Sequence, residues 1–384
     1  MFFFKTAAKP GRRVELSLVL AILVLAVTGP AVVAQNGAGK RASAAKTDQA
    51  EAKRLARQEL AKHTVTVTSS KDGTPQKAVF YVPEGAAVSR AGEPVPLLVA
   101  LHTWSGGYEQ GMGYLPYAKQ RKWVMVAPDF RGVNKRPEAC ASDLAVQDVL
   151  DAVQYAQQHA RVDATRIYLT GNSGGGHMSL VMAARAPQLW AGVSAWVPIS
   201  DLAAWHGECT AAKRHYAQML EQVCGGAPGS PQTDAQYRSR SSLFVLAAAK
   251  GLPLDINAGI HDGHTGSVPI SQSLRAFNVV AEANGFNDRQ IAETDIAFMT
   301  QEQKVPATLA AGPEKDPERK MAVLLRRVAG PARITIFEGG HDAEISAALD
   351  WLARQRKGSP VNHQAPAGIA APSGPQSSSQ TVSP

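Results

Sequence analysis

The turn at Gly171, Ser173 and Gly175 constrains this chain more than any other feature. Residues 167–170 are β-rich, a G-x-S-x-G pattern follows at once, and a run of small residues over 177–186 reads as a helix. Strand, sharp turn and helix in that order hold a serine at a strained bend with its hydroxyl lifted clear of the sheet. Glycine is required at 171 and 175 because strand and helix approach too closely there for a Cβ atom. Ser173 is therefore the expected nucleophile. The competing reading, a glycine-rich turn that binds phosphate on helix N–H groups, lacks both the lysine of a phosphate loop and a G-x-G-x-x-G spacing.

A serine hydroxyl is a weak nucleophile near neutral pH, so it needs a general base, and the base needs an acid to orient it. His341 follows Gly339 and Gly340, directly after the last expected strand (333–337) and before the last helix (343–354). Asp262 closes the strand before that one (254–260) and projects from the carboxyl end of the sheet. Asp255, inside that strand, is the main alternative acid, and Asp342 and Asp295 are weaker ones. His261 and His264 flank Asp262, but no third and fourth ligand stand nearby at metal-binding spacing, so neither metal nor cofactor is expected. A tetrahedral intermediate also needs two N–H donors. Gly174 supplies one, and the loop 101–107 supplies the other, with Trp104 in the expected place and Thr103 beside it. Trp196, Trp205 and His206 are candidates for an acyl or sugar pocket, with a core role as the equal alternative.

Strands alternate with helices along most of the chain, which argues for an α/β fold with a mostly parallel, doubly wound sheet and helices on both faces. Residues 63–69 and 77–82 read as opening antiparallel strands. The apolar runs at 95–101 and 123–127 suit strands buried on both faces, the run 143–159 is helical in period, and 192–198 is a further strand. The catalytic domain is expected over 63–357. Within it, 286–330 is a longer excursion that would roof the site. Residues 35–62, rich in Ala, Lys, Arg, Glu and Gln, read as a helical linker or spacer. Residues 358–384, mostly Pro, Ser, Ala and Gln, read as a disordered tail.

Residues 1–34 carry the marks of an export signal: Lys5, Lys9, Arg12 and Arg13, an apolar stretch over 16–27, and small residues for cleavage near Ala34. That stretch is shorter than the roughly 20 residues needed to span a bilayer, so periplasmic or extracellular release is expected, with no membrane role beyond export. The net charge of +8 falls to about +5 without the four basic residues and one acidic residue of 1–34. The basic clusters at 40–62 and 315–327 are mixed with acids and lack interleaved aromatics, so solvated helix faces explain them and nucleic acid is not an expected partner. Three cysteines allow at most one internal disulfide. Cys209 and Cys224, flanking a helix-like segment, are the expected pair, which leaves Cys140 as a buried thiol.

Taken together, the turn 171–177, the loop 102–107, the run 128–132, residues 259–262 with Val268 and Pro269 after them, and Gly339 to His341 resemble the α/β-hydrolase superfamily. They lie nearest its secreted esterases and its prolyl-oligopeptidase-like branch. The resemblance covers about residues 63–356. It implies the α/β-hydrolase fold, the chain order Ser, Asp, His, and a triad of Ser173, Asp262 and His341. It also implies that Asp129 and Arg131 hold the base of the site. In the prolyl-oligopeptidase branch the residue after the serine is commonly Tyr, and another Tyr near the Arg-Gly loop helps hold the oxyanion. Gly174 stands in the first place and the run 131–134 has no Tyr, which tilts the expectation from peptides toward carboxylic esters, including acetyl or feruloyl esters of polysaccharide. Only 35–62 separates the leader from the fold, so no propeller filter is expected. A peptidase with the same triad is the first alternative, and a non-catalytic binding protein on the same fold, which would be expected to have lost Ser173 or His341, is the second.

Overall fold

The computed structural model describes residues 35–309 and 316–364. The expected leader at 1–34 and most of the expected tail lie outside the described residues. In chain order the strands are β1 (Thr64–Thr68), β2 (Pro75–Tyr81), β3 (Val95–Leu101), β4 (Val124–Pro128), β5 (Val162–Asn172), β6 (Gly192–Trp196), β7 (Leu254–Gly259), β8 (Val323–Ala329) and β9 (Ala332–Phe337). The α-helices are α1 (Gln35–His63), α2 (Leu115–Arg121), α3 (Asp143–His159), α4 (Gly174–Arg185), α5 (Leu202–Ala211), α6 (Tyr216–Cys224), α7 (Pro231–Arg240), α8 (Ser271–Ala283), α9 (Glu293–Glu302) and α10 (Ile345–Ala353). The chain divides into two units, residues 1–56 and 57–384. Residues 49–56 are helical and exposed, in keeping with their polar composition. Among the described residues no helix is long and apolar enough to cross a membrane.

The second unit is built on one nine-stranded sheet in the order β1-β2-β4-β3-β5-β6-β7-β9-β8. The central strands from β4 to β9 pair in parallel, while β1, β2 and β8 run antiparallel to their neighbours at the edges. Strand periodicity sorts the side chains between two layers. Leu97, Val99 and Leu101 of β3 face the core that holds α3, α4 and α8, and Leu98 and Ala100 face the opposite layer with α2 and α10. The α3 helix starts where Ser142 Oγ accepts the Ala145 N–H, which satisfies one of the free donors of its first turn. Its buried residues Ala145, Val149, Ala152, Val153 and Ala156 recur at helical spacing.

The structure departs from the sequence expectations at three places. The strand leading to the turn is longer than expected and begins at Val162. The excursion 286–330 is no simple roof: it contains α9 and the edge strand β8, whose alternating half-buried pattern is weak in the sequence. The expected Cys209–Cys224 disulfide is absent, and all three cysteines are free and buried. Closeness in sequence does not fix side-chain direction, and both thiols turn into one apolar cluster with Leu220 and Val223. Burial pushes the Cys209 and Cys224 thiols up to about 12 and about 11, so they stay protonated and unreactive.

Candidate active site

The serine turn is fixed by its own glycines. Ser173 sits at φ 58° and ψ −119° between β5 and α4, a left-handed conformation that a non-glycine residue adopts only when its surroundings enforce it. Its N–H donates to the Trp196 carbonyl at 2.9 Å, and its own carbonyl accepts the His177 N–H at 2.8 Å. A Cβ at position 171 would lie 2.6 Å from the Gly175 carbonyl carbon, and one at 174 would overlap the amide nitrogen of Trp104. The loop carrying Trp104 is thus seated directly against the first residue of α4.

That contact decides between the two oxyanion candidates on the loop. The Thr103 N–H already donates to Gln110 Oε1 at 2.8 Å. The Trp104 N–H has no acceptor among the described residues, and Gly174, as the first residue of α4, has no helical acceptor for its own N–H. Two main-chain donors are therefore left free beside Ser173. The loop is braced from behind by 129–134, where three consecutive residues, Phe130, Arg131 and Gly132, have positive φ. Asn134 N–H donates to the Trp104 carbonyl at 3.0 Å, His102 bonds the Asp129 carbonyl at 2.7 Å and stacks on Phe130, and Asp129 accepts the Tyr108 N–H. Arg131 is buried and pairs with Asp148 and Asp72, which anchors this brace to α3.

The second half of the site is carried by loops after β7 and β9. His341 Nδ1–H donates to Asp262 Oδ2 at 2.7 Å. Because an ionised carboxylate only accepts, this bond fixes the proton on Nδ1 and leaves the Nε2 lone pair available as a base. The other Asp262 oxygen accepts the N–H groups of Gly263 at 2.8 Å and Val268 at 3.1 Å, and Asp262 is 2% exposed. Gly266 crosses this pair so closely that a Cβ there would overlap both Asp262 Oδ1 and His341 Cβ. The alternative acids are engaged elsewhere. Asp255 forms a buried ion pair with Arg333 at 2.6 Å; burial acts to raise its pKa, but Arg333 and Arg319 outweigh it and hold the group at about 2. Asp342 is exposed and accepts the Gly340 N–H, and Asp295 lies in the first turn of α9. His261 bonds Gln303 and Glu338, and His264 bonds the Thr300 carbonyl, so both tie the acid loop to α9 and its surroundings.

A cavity of about 350 Å³ opens beside the turn, with Asn172 and His341 both in its wall. Trp196, Trp205 and His206, candidates for a pocket with a core role as the equal alternative, are not among the walls of this cavity. Trp196 packs on Phe337 and under Arg319, beside Ala347 and Ala348 of α10. Trp205 packs edge-on against Trp104 at 4.7 Å and donates its indole N–H to the Ser267 carbonyl, so it joins the oxyanion loop to the acid loop. His206 bonds Glu221 at 2.8 Å. Aromatic side chains near a site in sequence carry no sign of which way they turn, and here the large rings were needed for packing. A larger groove, about 910 Å³, lies at the opposite, amino ends of β6, β7 and β9 by Trp190, Pro253 and Pro331 and holds none of the triad residues. Neither Gly266, which lies against His341 far along the chain, nor Gln110, seven residues from its partner Thr103 in one loop, carries a local signal in the sequence.

Parallel strands that bring a nucleophile turn, then an acid, then a base to their carboxyl ends are the arrangement of the α/β-hydrolase fold, and the chain has that fold. Residues 114–301, just under half of the chain, match the prolyl oligopeptidase family, in keeping with the prolyl-oligopeptidase-like branch of the α/β-hydrolases. Acetylxylan esterase A of Emericella nidulans is 25% identical over 175 residues, covering 39% of this chain and 56% of that protein. Among solved structures, the acylaminoacyl peptidase of Pyrococcus horikoshii aligns with a TM-score of 0.51 at 18% identity, over 77% of this chain and 41% of that one. The chain thus spans about half the length of these relatives, and the structural likeness is one of fold.

Proposed function

We propose that the protein is a carboxylic-ester hydrolase that works through Ser173, His341 and Asp262. Ser173 Oγ attacks the acyl carbon while His341 Nε2 takes its proton, and Asp262 orients the imidazole and stabilises its charged form. The N–H groups of Gly174 and Trp104 hold the oxyanion. His341 then gives the proton to the departing alcohol, and a water, activated by the same imidazole, frees the acid from the acyl-enzyme. The observation that carries this reading is the 2.7 Å His341–Asp262 bond, with the second carboxylate oxygen occupied by two main-chain amides.

Esters are favoured over peptides by the seat of Trp104 on Gly174. No side chain fits at 174, so the oxyanion donors are two main-chain amides and no phenol from that position assists them. The likeness to an acetylxylan esterase supports the same direction, and acetyl or feruloyl esters of polysaccharide are the proposed natural substrates. The leader-like residues 1–34 support export to the periplasm or the medium. A panel of p-nitrophenyl acetate, acetylated xylan, feruloyl esters and peptide anilides tests the proposal. Ester turnover that disappears in Ser173→Ala is expected, and turnover of the anilides alone would favour a peptidase.

A further inference from the structure

The acid loop and the base loop are joined twice. The inner joint is the His341–Asp262 bond of the triad. The outer joint is made by the residue just before the acid: His261 Nε2 lies 2.7 Å from Glu338 Oε1, on the chain leading to His341. Each loop thus gives one imidazole and one carboxylate, in crossed order. Between the two joints the main chains touch, since the His261 N–H donates to the Gly339 carbonyl at 3.0 Å, and a Cβ at Gly259 would overlap the carbonyl oxygens of Gly339 and Gly340. Any parting of His261 from Glu338 therefore bears on where Asp262 and His341 sit.

Charge controls the outer joint. His261 Nδ1 lies 3.0 Å from Gln303 Oε1, at the end of α9. Both ring nitrogens thus face oxygens that accept, and an imidazole donates at both only when it carries its second proton. Part of the ring reaches solvent, so bulk pH sets that proton. The neighbouring groups are turned elsewhere: Asp262 to His341, Gly263 and Val268, His264 to the Thr300 carbonyl, and Arg214 to the Gly263 carbonyl. Glu338 is the charged group that bonds His261, and its hydrogen bond, followed by that of Gln303, holds the histidine pKa above its usual value. The doubly bonded imidazolium is therefore complete below about pH 6.5, the ordinary histidine value, and is lost as pH rises through the raised folded value. His341 has the opposite requirement, because it must be free of its proton to act as base.

We propose that His261 is a positioning residue for hydrolysis, an imidazolium that clamps the acid loop to the base loop through Glu338 and releases it at alkaline pH. This role rests on the triad, which serves an ester or a peptide bond alike, so the pH profile is taken on whichever of p-nitrophenyl acetate and a peptide anilide is turned over. Wild-type kcat is expected to fall about five- to tenfold, the worth of one hydrogen bond, as pH rises from about 7 to about 9.5. His261→Gln, which cannot titrate, should sit that far below wild type near neutral pH and meet it at the alkaline end. Glu338→Gln should move the fall to lower pH. A histidine with a merely structural role would keep one ratio between variant and wild type at every pH. Histidine NMR spectra of Ser173→Ala read the same group without turnover. The resonance that disappears when His261→Gln is added should titrate above the ordinary value, and Glu338→Gln should bring it back down. A constant ratio across the profile, or a His261 resonance that titrates at or below about 6.5, overturns the clamp while leaving the triad intact. If wild type turns over neither substrate, the triad reading and the clamp fall together.

Discussion

The two halves of the site are built by opposite means. On the nucleophile side the geometry is held by the main chain: Ser173 is forced to φ 58°, Gly171 lies against Gly175, and Gly174 lies against Trp104. On the acid–base side it is held by side chains on loops, with Asp262 bonded to His341 and to two amides, and with His261, His264 and Trp205 tying the acid loop to its neighbours. The first half fails on an added carbon; the second shares that limit at Gly266 and also fails on the loss of a polar side-chain atom. Loss of a side-chain polar atom therefore separates the two.

The largest effect is expected from Ser173→Ala, which removes the nucleophile and should lower kcat on p-nitrophenyl acetate by about 10⁵-fold or more. A normal melting temperature in that variant would show that the loss is chemical. Asp262→Asn keeps the shape of the acid but alters the tautomer it enforces on His341, and kcat should fall about 10⁴-fold. If activity falls less than tenfold, Asp262 is not the orienting acid. Gly174→Val tests the main-chain half, because its side chain displaces the Trp104 amide and should cost about 10²- to 10³-fold in kcat, the worth of one oxyanion donor. A crystal structure with Trp104 unmoved would contradict this account of the contact.

Smaller effects are expected in stability. His177 lies one turn after Ser173, and burial holds its pKa down at about 4. Between about pH 6.5 and pH 4 the unfolded chain binds a proton there that the folded chain does not. Stability should therefore fall as pH drops through this window, by on the order of 3 kcal/mol at full effect. Denaturant melts of wild type and His177→Gln from pH 7 to pH 4 check it: the variant should lose less stability over that range, and identical slopes would contradict the assignment. Smallest of all, Trp205→Phe deletes the bond to Ser267 and should cost about 1 kcal/mol in the same melts, with a modest loss of kcat because the two halves are no longer tied. A change in kcat larger than that of Gly174→Val would mean that the halves depend on each other more than their construction indicates.

The same division explains what could be read before folding. The glycines at 171 and 175 answer a steric demand made by residues a few positions away, so the strand, turn and helix are visible as a local pattern. Asp262 and His341 were also legible as candidates, because the alternation of apolar strands places both at the carboxyl ends of strands, β7 and β9, that lie side by side in the sheet. The directions of Trp196, Trp205 and His206 were not. A ring in an apolar segment gives the same local signal whether it lines a cavity or fills the core. Cys209 and Cys224 show the same limit, since a short separation along the chain says nothing about where the Cβ bonds point.

What the sequence determined by itself is the parallel α/β order of elements, the strained serine and the candidates for acid and base, because each depends on periodicity or on sterics between near neighbours. Tertiary structure alone decided that Asp255 belongs to Arg333, that Thr103 gives its N–H to Gln110 and leaves Trp104 free, and that Asn172 and Tyr114 face the cavity with His341. Those outcomes depend on contacts that no local pattern encodes, most of them between residues far apart in the chain, and burial allows each polar group only the partners that packing brings within reach.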